Sequence, residues 1–171
     1  MKEGDIICAK NLAVILIDMQ NVFTEKIEKE ELKIMIDNQL IILEVCAKHN
    51  IPLFILEYQD CGDTISILKE KIEKITRKKT IIKPDIDGFS YTPLSIELEK
   101  LNTKKIIFAG IYAGACVYET AYSAIKNGYK IIICAELISD MNYFFDNKKS
   151  WYIKNGLFYS NIQDLLAKIK V

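Results

Sequence analysis

The stretch Lys105-Ile106-Ile107-Phe108-Ala109-Gly110-Ile111, continued through Tyr112-Ala113-Gly114-Ala115 into Cys116-Val117-Tyr118-Glu119-Thr120-Ala121, decides the fold. Its first part is apolar and β-branched over seven residues, the pattern of a strand buried on both faces of a parallel sheet. From Val117 to Lys126 the apolar spacing becomes helical, and Gly128 stands where a C′ glycine ends a helix. Cys116 therefore lies on a strand-to-helix turn, cushioned by Gly110, Ala113, Gly114 and Ala115. Unpaired N–H groups of a first helical turn and the positive end of its dipole favour thiolate over thiol, so this reading expects a reactive cysteine with a lowered pKa.

Outward from that turn, short β-branched runs alternate with amphipathic stretches. Strands are predicted at Leu12 to Ile17, Pro52 to Glu57, Thr80 to Lys83, Lys105 to Ile111, Lys130 to Ala135 and Leu157 to Tyr159. Between them, Glu31 to His49 carries Leu32, Met35, Ile36, Gln39, Leu40, Leu43 and Ala47 on one stripe, and Asp63 to Ile75 and Pro93 to Leu101 repeat the period more briefly. Such alternation implies an α/β fold, a parallel sheet with helices on both faces joined by right-handed crossovers. No internal repeat or linker divides the chain, and one domain over residues 1–171 is expected.

Composition narrows the function. Half of the 171 residues are hydrophobic, Lys plus Arg and Asp plus Glu each total 23, and Arg77 is the only arginine. A balanced charge with one arginine argues against a nucleic-acid partner, and the run Thr76-Arg77-Lys78-Lys79 reads as a solvated helix end and loop. The first apolar run meets Asp18 too early for a secretory signal, and no apolar run reaches the ~18 residues that span a bilayer, so a cytoplasmic protein without membrane contact is expected. Five cysteines, Cys8, Cys46, Cys61, Cys116 and Cys134, form no CxxC pair and no zinc-ligand spacing.

In an open parallel sheet, ligands bind beyond the carboxyl ends of the strands where the strand order reverses. Asp18, Lys83 and Cys116 mark three such ends, and with a strand order of 3-2-1-4-5-6 Asp18 and Cys116 face each other across the crevice. Each also has a plain structural reading: a helix N-cap, a solvated lysine and a small core residue.

Three segments around these residues together resemble the isochorismatase-like family of cysteine hydrolases. Ala13-Val-Ile-Leu-Ile-Asp18-Met-Gln20-Asn-Val-Phe23 is similar to the family's strand ending in D-x-Q-x-x-F. Lys83-Pro-Asp-Ile-Asp-Gly88-Phe89-Ser-Tyr-Thr92-Pro-Leu94 resembles its K-x5-F-x2-T-x-L segment. Gly110-Ile-Tyr-Ala-Gly-Ala-Cys116-Val117-Tyr-Glu-Thr120-Ala121, with the later Asn127-Gly128-Tyr129, resembles G-x5-C-V-x2-T-A and G-Y. The resemblance implies a three-layer α/β/α fold with a six-stranded parallel sheet and an Asp18-Lys83-Cys116 triad. It also implies an oxyanion hole formed by the backbone N–H groups of Tyr112 and Cys116, with a cis peptide joining Ile111 to Tyr112. A homo-oligomer is expected on the same ground, and the aromatic segment Tyr143, Phe144, Phe145, Trp151, Tyr152 is a candidate for its interface or for covering the sheet.

Departures from the family pattern are informative too. Many relatives carry Thr and then Asp or Asn where this chain has Ala113 and Gly114. Metal-dependent nicotinamidases of the same superfamily hold their ion through an Asp-x-His pair and a further histidine after the second strand. Here the stretch is Glu57-Tyr-Gln-Asp60-Cys-Gly-Asp63-Thr, and the only histidine, His49, ends a predicted helix. A metal-free subgroup without cofactor is therefore expected, with Asp60 and Asp63 as polar loop or N-cap residues. Phe23, Tyr58, Phe89, Tyr91 and Tyr112 are the candidates for an aromatic substrate pocket. Three functions remain open: a cysteine hydrolase cleaving the C–N bond of a small amide, ureide or carbamate; a vinyl-ether hydrolase of isochorismate type using Asp18 as acid; and a non-catalytic oligomeric binding scaffold.

Overall fold

The structure is a computed structural model that describes residues 6–140 and 144–170, the side chains of 144–147 excepted. In chain order its strands are β1 (Ile7–Cys8), β2 (Leu12–Ile17), β3 (Leu53–Tyr58), β4 (Lys78–Lys83), β5 (Lys105–Ile111), β6 (Lys130–Ser139), β7 (Leu157–Tyr159) and β8 (Ile169–Lys170). Its helices are α1 (Asn21–Thr24), α2 (Lys29–His49), α3 (Ser66–Ile72), α4 (Leu94–Lys100), α5 (Cys116–Lys126), α6 (Phe144–Asn155) and α7 (Ile162–Lys168).

Six strands form one parallel sheet in the order β4-β3-β2-β5-β6-β7, which is 3-2-1-4-5-6 when only these six are counted, as expected. Strand β2 shows why its neighbours are central. All six of its residues are buried, and its alternating side chains feed two separate cores. Leu12, Val14 and Leu16 pack with Met35, Ile42 and Leu43 of α2, while Ala13, Ile15 and Ile17 pack with residues of α4 and α5. Each fully buried Leu or Ile contributes about 1.5–3 kcal/mol, so both faces of this strand anchor helices.

Helix α2 opens where the Glu28 carboxylate accepts from the N–H groups of Glu30 and Glu31, and closes at Asn50 in the left-handed region (φ 53). His49 is its last residue, as expected. Helix α5 ends at Lys126, and Gly128 (φ 86) follows its cap.

Several elements differ from the reading of the sequence. Strand β4 starts at Lys78, so Lys78 and Lys79 belong to the sheet edge, where lysine discourages pairing with another chain. Helix α3 is shorter than predicted, with Ile65 at the N-cap position and Asp63 in the preceding loop, paired with Lys69 at 2.8 Å. Strand β6 runs on to Ser139: its partner offset to β5 changes by three residues between Phe108/Ile133 and Gly110/Ile138, an irregularity that periodicity does not reveal. Helices α6 and α7 and the parallel pair β1–β8 were not expected. Tyr143 lies outside the described residues, as do the side chains of Phe144 and Phe145, while Tyr152 is fully buried and Trp151 packs 4.8 Å from Tyr118. Among the described residues no helix is long and apolar enough to cross a membrane.

Candidate active site

Asp18 directly follows β2, Lys83 ends β4, and Cys116 opens α5 beyond the end of β5. The parallel order places all three at one edge of the sheet, with β2 between β3 and β5. Strands β2 and β5 approach very closely there. A Cβ on Gly110 would stand 2.1 Å from the Ile17 carbonyl oxygen, and its φ of 121° is a conformation that glycine adopts freely. Asp18 itself sits at φ 53, in a region Asp tolerates better than most residues.

Lys83 reaches past the end of β3 to Asp18, its Nζ 2.9 Å from Oδ2, with side-chain exposure of 0% and 1%. Nζ also donates to the Asp85 carbonyl at 3.0 Å and lies 4.4 Å from the centroid of the Tyr58 ring. Neither Asp18 oxygen accepts a hydrogen bond of good directional geometry, so Lys83, the Cys116 thiol and the Tyr58 backbone act on it mainly through proximity. Burial outweighs these contacts and holds the Asp18 carboxyl above the usual carboxylate value.

The thiol departs from expectation. Burial, and then the Asp18 charge, push Cys116 up to about 12, against a smaller lowering from Lys83 and from the Tyr112 backbone N–H that faces the sulfur. Helix-terminal polarity reads locally from sequence, whereas desolvation depends on how the whole chain packs around the sulfur. The resting arrangement is thus a neutral thiol beside a carboxylate of raised basicity, and the raised Asp18 value narrows the gap that a proton must cross from Sγ.

The turn leading to Cys116 is tied from three sides. The Ile111–Tyr112 peptide is cis, at the expected bond. The Tyr112 carbonyl accepts from the N–H groups of Ala115 and Val117, both at 3.0 Å. Ala113 N–H donates to Ser139 O at 2.9 Å, Tyr152 Oη donates to Ala113 O at 2.7 Å, and Gly114 N–H donates to the Asp140 carboxylate. One helical turn on, Thr120 Oγ1 donates to the Cys116 carbonyl at 2.6 Å and accepts from Gly88 N–H at 2.9 Å, joining α5 to the segment after Lys83. Thr120 and Gly88 stand within the quoted motifs; Ser139, Asp140 and Tyr152 carried no signal, since their register depends on the β6 irregularity.

Of the five aromatic candidates, three converge. Phe23 meets Tyr58 and Tyr112 edge to face, with centroids 6.2 and 5.9 Å apart, and Tyr112 Oη donates to the Phe23 carbonyl at 3.3 Å. The other two are placed elsewhere: Phe89 stacks on Tyr129 at 6.1 Å, and Tyr91 is 89% exposed at φ 59. Gln20, quoted in the first motif without a role, is fully buried. Its Nε2 donates to the carbonyls of Tyr58 (3.0 Å) and Gly62 (2.5 Å), and its Oε1 accepts from Tyr58 N–H at 2.8 Å.

The stretch after β3 does not fit a metal ion. Glu57 Oε1 is taken up by Thr64 N–H and Oγ1 at 2.7 and 2.8 Å, Asp63 by Lys69, and Asp60 accepts from Gln59 at 3.2 Å. Among the described residues no three His, Cys, Asp or Glu side chains converge.

Comparison with known proteins bears on the family and the fold. The chain is 24% identical over 155 residues to nicotinamidase 3 of Arabidopsis thaliana, covering 78% of this chain and 76% of that protein. The ycaC gene product of Escherichia coli, described as an octameric hydrolase of unknown specificity, superposes with a TM-score of 0.84 at 18% identity over 99% of this chain and 84% of that one. N-carbamoylsarcosine amidase from Thermoplasma acidophilum superposes with a TM-score of 0.72 at 17% identity over 87% and 95% of the two chains. Residues 12–155 match the model of the isochorismatase domain, and the chain belongs to the isochorismatase family of hydrolases.

Proposed function

We propose that the protein is a cysteine hydrolase that cleaves the C–N bond of a small, neutral amide, ureide or carbamate through a thioester. The observation that carries this reading is the convergence of a buried Lys83–Asp18 pair, 2.9 Å apart, with the Cys116 thiol beyond the carboxyl ends of β4, β2 and β5. Asp18 takes the proton from Sγ as the sulfur bonds to the substrate carbonyl carbon. Charge developing on the carbonyl oxygen is met by the backbone N–H groups of Tyr112 and Cys116. Asp18 then passes the proton to the leaving nitrogen, the C–N bond breaks, and a thioester remains. Asp18 next removes a proton from water, whose oxygen attacks the thioester. The C–S bond breaks, and the proton returns to sulfur. Lys83 holds Asp18 and offsets the negative charge throughout.

A neutral substrate follows from the charges around the wall formed by Phe23, Tyr58 and Tyr112. Lys83 is engaged, and the Tyr112 phenol is held up at about 12, first by burial and then by the acidic groups around it, Asp140 and Asp18 among them. Amide chemistry is supported by the relatives named nicotinamidase and N-carbamoylsarcosine amidase, and a homo-oligomer by the octameric E. coli neighbour.

Ammonia or amine release from a panel of small amides, ureides and carbamates tests this, with Asp18→Asn and Cys116→Ala alongside. The expected result is turnover by the native protein and loss in both variants. Activity on a vinyl ether that survives Cys116→Ala but not Asp18→Asn would replace the proposal with acid catalysis. No turnover of either class would favour a binding scaffold.

A further inference from the structure

Lys83 has three N–H bonds and no contact with solvent, so each unpartnered one would carry a desolvation cost. Nζ donates one to the Asp85 carbonyl at 3.0 Å and stands in an ion pair with Asp18 Oδ2 at 2.9 Å. On the remaining side stands the face of Tyr58, its centroid 4.4 Å from Nζ, well inside the ~6 Å at which a ring attracts a cation. We propose that Tyr58 is a positioning residue whose ring face is the third partner of the Lys83 ammonium, holding that charge on Asp18 and keeping it from substrate. This rests on the triad reading above.

The ring is itself fixed rather than free to swing. Gln20 clamps the Tyr58 backbone on both its N–H and its C=O, and ties the following turn through Gly62. Phe23 abuts the ring edge to face. A buried carboxamide that spends three hydrogen bonds on one short segment makes sense if the placement of that segment matters to the site. Charges that act on Cys116 include Asp18 and Lys83, from two strand ends, and Lys83 is the cation that favours the thiolate. A Lys83 released from the ring therefore shows in the chemistry of the thiol, whether or not any substrate is known.

The test is the second-order rate of Cys116 alkylation by iodoacetamide across pH, with the label located by mass spectrometry. It is run on the native protein, on Tyr58→Phe, and on a protein carrying trifluorophenylalanine at position 58, which keeps the ring's shape and drains its face of negative charge. Tyr58→Leu and Lys83→Met complete the series, the last giving the full effect of losing the cation. The expected result is slowing of about threefold to tenfold in the fluorinated protein relative to Tyr58→Phe, with slowing of the same order in Tyr58→Leu. Equal rates for phenylalanine and its fluorinated form would overturn the proposal and leave Tyr58 a wall of the pocket. So would equal slowing by both, which would point to the hydroxyl. Because fluorination preserves shape, the comparison stands even if Tyr58→Leu does not fold. Failure of every amide in the substrate panel would sink the amidase reading while leaving this series interpretable.

Discussion

Strand β4 carries a lysine–carboxylate pair at each end, and the two have little in common beyond distance. At its start, Lys79 lies 3.1 Å from Glu97 with both side chains in contact with water. At its end, Lys83 lies 2.9 Å from Asp18 with neither exposed. An exposed pair is screened, and its partners re-solvate when separated. A buried pair has no such alternative, so removing one member strands the other. The contrast teaches that burial, not separation, turns an ion pair into a device that sets proton affinity.

The sharpest way to break this comparison is to delete the cation at each end. Lys83→Met should cost about 3–5 kcal/mol in urea unfolding and abolish turnover, while Lys79→Met should leave both the midpoint and the activity as they were. The double variant Asp18→Asn/Lys83→Met should regain most of the stability and none of the activity. Equal effects at the two ends would refute the argument from burial.

Gly110→Ala comes next. Its Cβ would collide with the Ile17 carbonyl in a left-handed backbone, which should cost about 2–4 kcal/mol and displace Asp18, read as a lowered melting temperature with a fall in kcat. Unchanged turnover at a lowered melting temperature would show that the β2–β5 contact serves the fold alone.

A smaller effect concerns pH. Salt-bridged surface carboxyls such as Glu44, Asp63 and Glu97 are held below their ordinary values by lysines, so their contribution is present at neutral pH and lost on acidification. Asp18 has the opposite sign. Its folded pKa lies above the ordinary 3.8, so its contribution is complete below that value and is lost as pH rises through the folded one. The stability of the native protein minus that of Asp18→Asn should therefore decline with rising pH. A difference that grows with pH would mean that Lys83 outweighs desolvation.

The smallest expected effect is an ordering of thiols. Exposed Cys8 should alkylate ahead of Cys116 at neutral pH without substrate, and Cys46, held up to about 12 by burial alone, should stay silent until unfolding. Cys116 reacting first would restore the picture of a thiolate stabilised by its helix.

What the sequence revealed and what it withheld follow from the range of each interaction. The strand ends bearing Asp18, Lys83 and Cys116 were legible because apolar periodicity and short motifs are local, whereas the strand order and the cis Ile111–Tyr112 bond are non-local and were expected only through the family resemblance. Gln20 stood in view without a role, since its three acceptor and donor partners lie 38 or more residues away. Phe89 and Tyr91 stand among the aromatic pocket candidates, yet one stacks on Tyr129 and the other faces water, a difference that sequence position does not reveal. The direction of the Cys116 shift was missed for the same reason: burial belongs to the assembled chain.

The irregularity in β6 sets the phase of everything that follows it in that strand. Strand side chains repeat every two residues, so a single-residue deletion between Cys134 and Leu137 would turn every later side chain of that strand to the opposite face and shorten its reach. Ser139 and Asp140, which fasten the turn before Cys116, would then fall out of phase with it. Insertions and deletions in this segment should accordingly behave as frameshifts in three dimensions, tolerated in the chain's length but not in its chemistry.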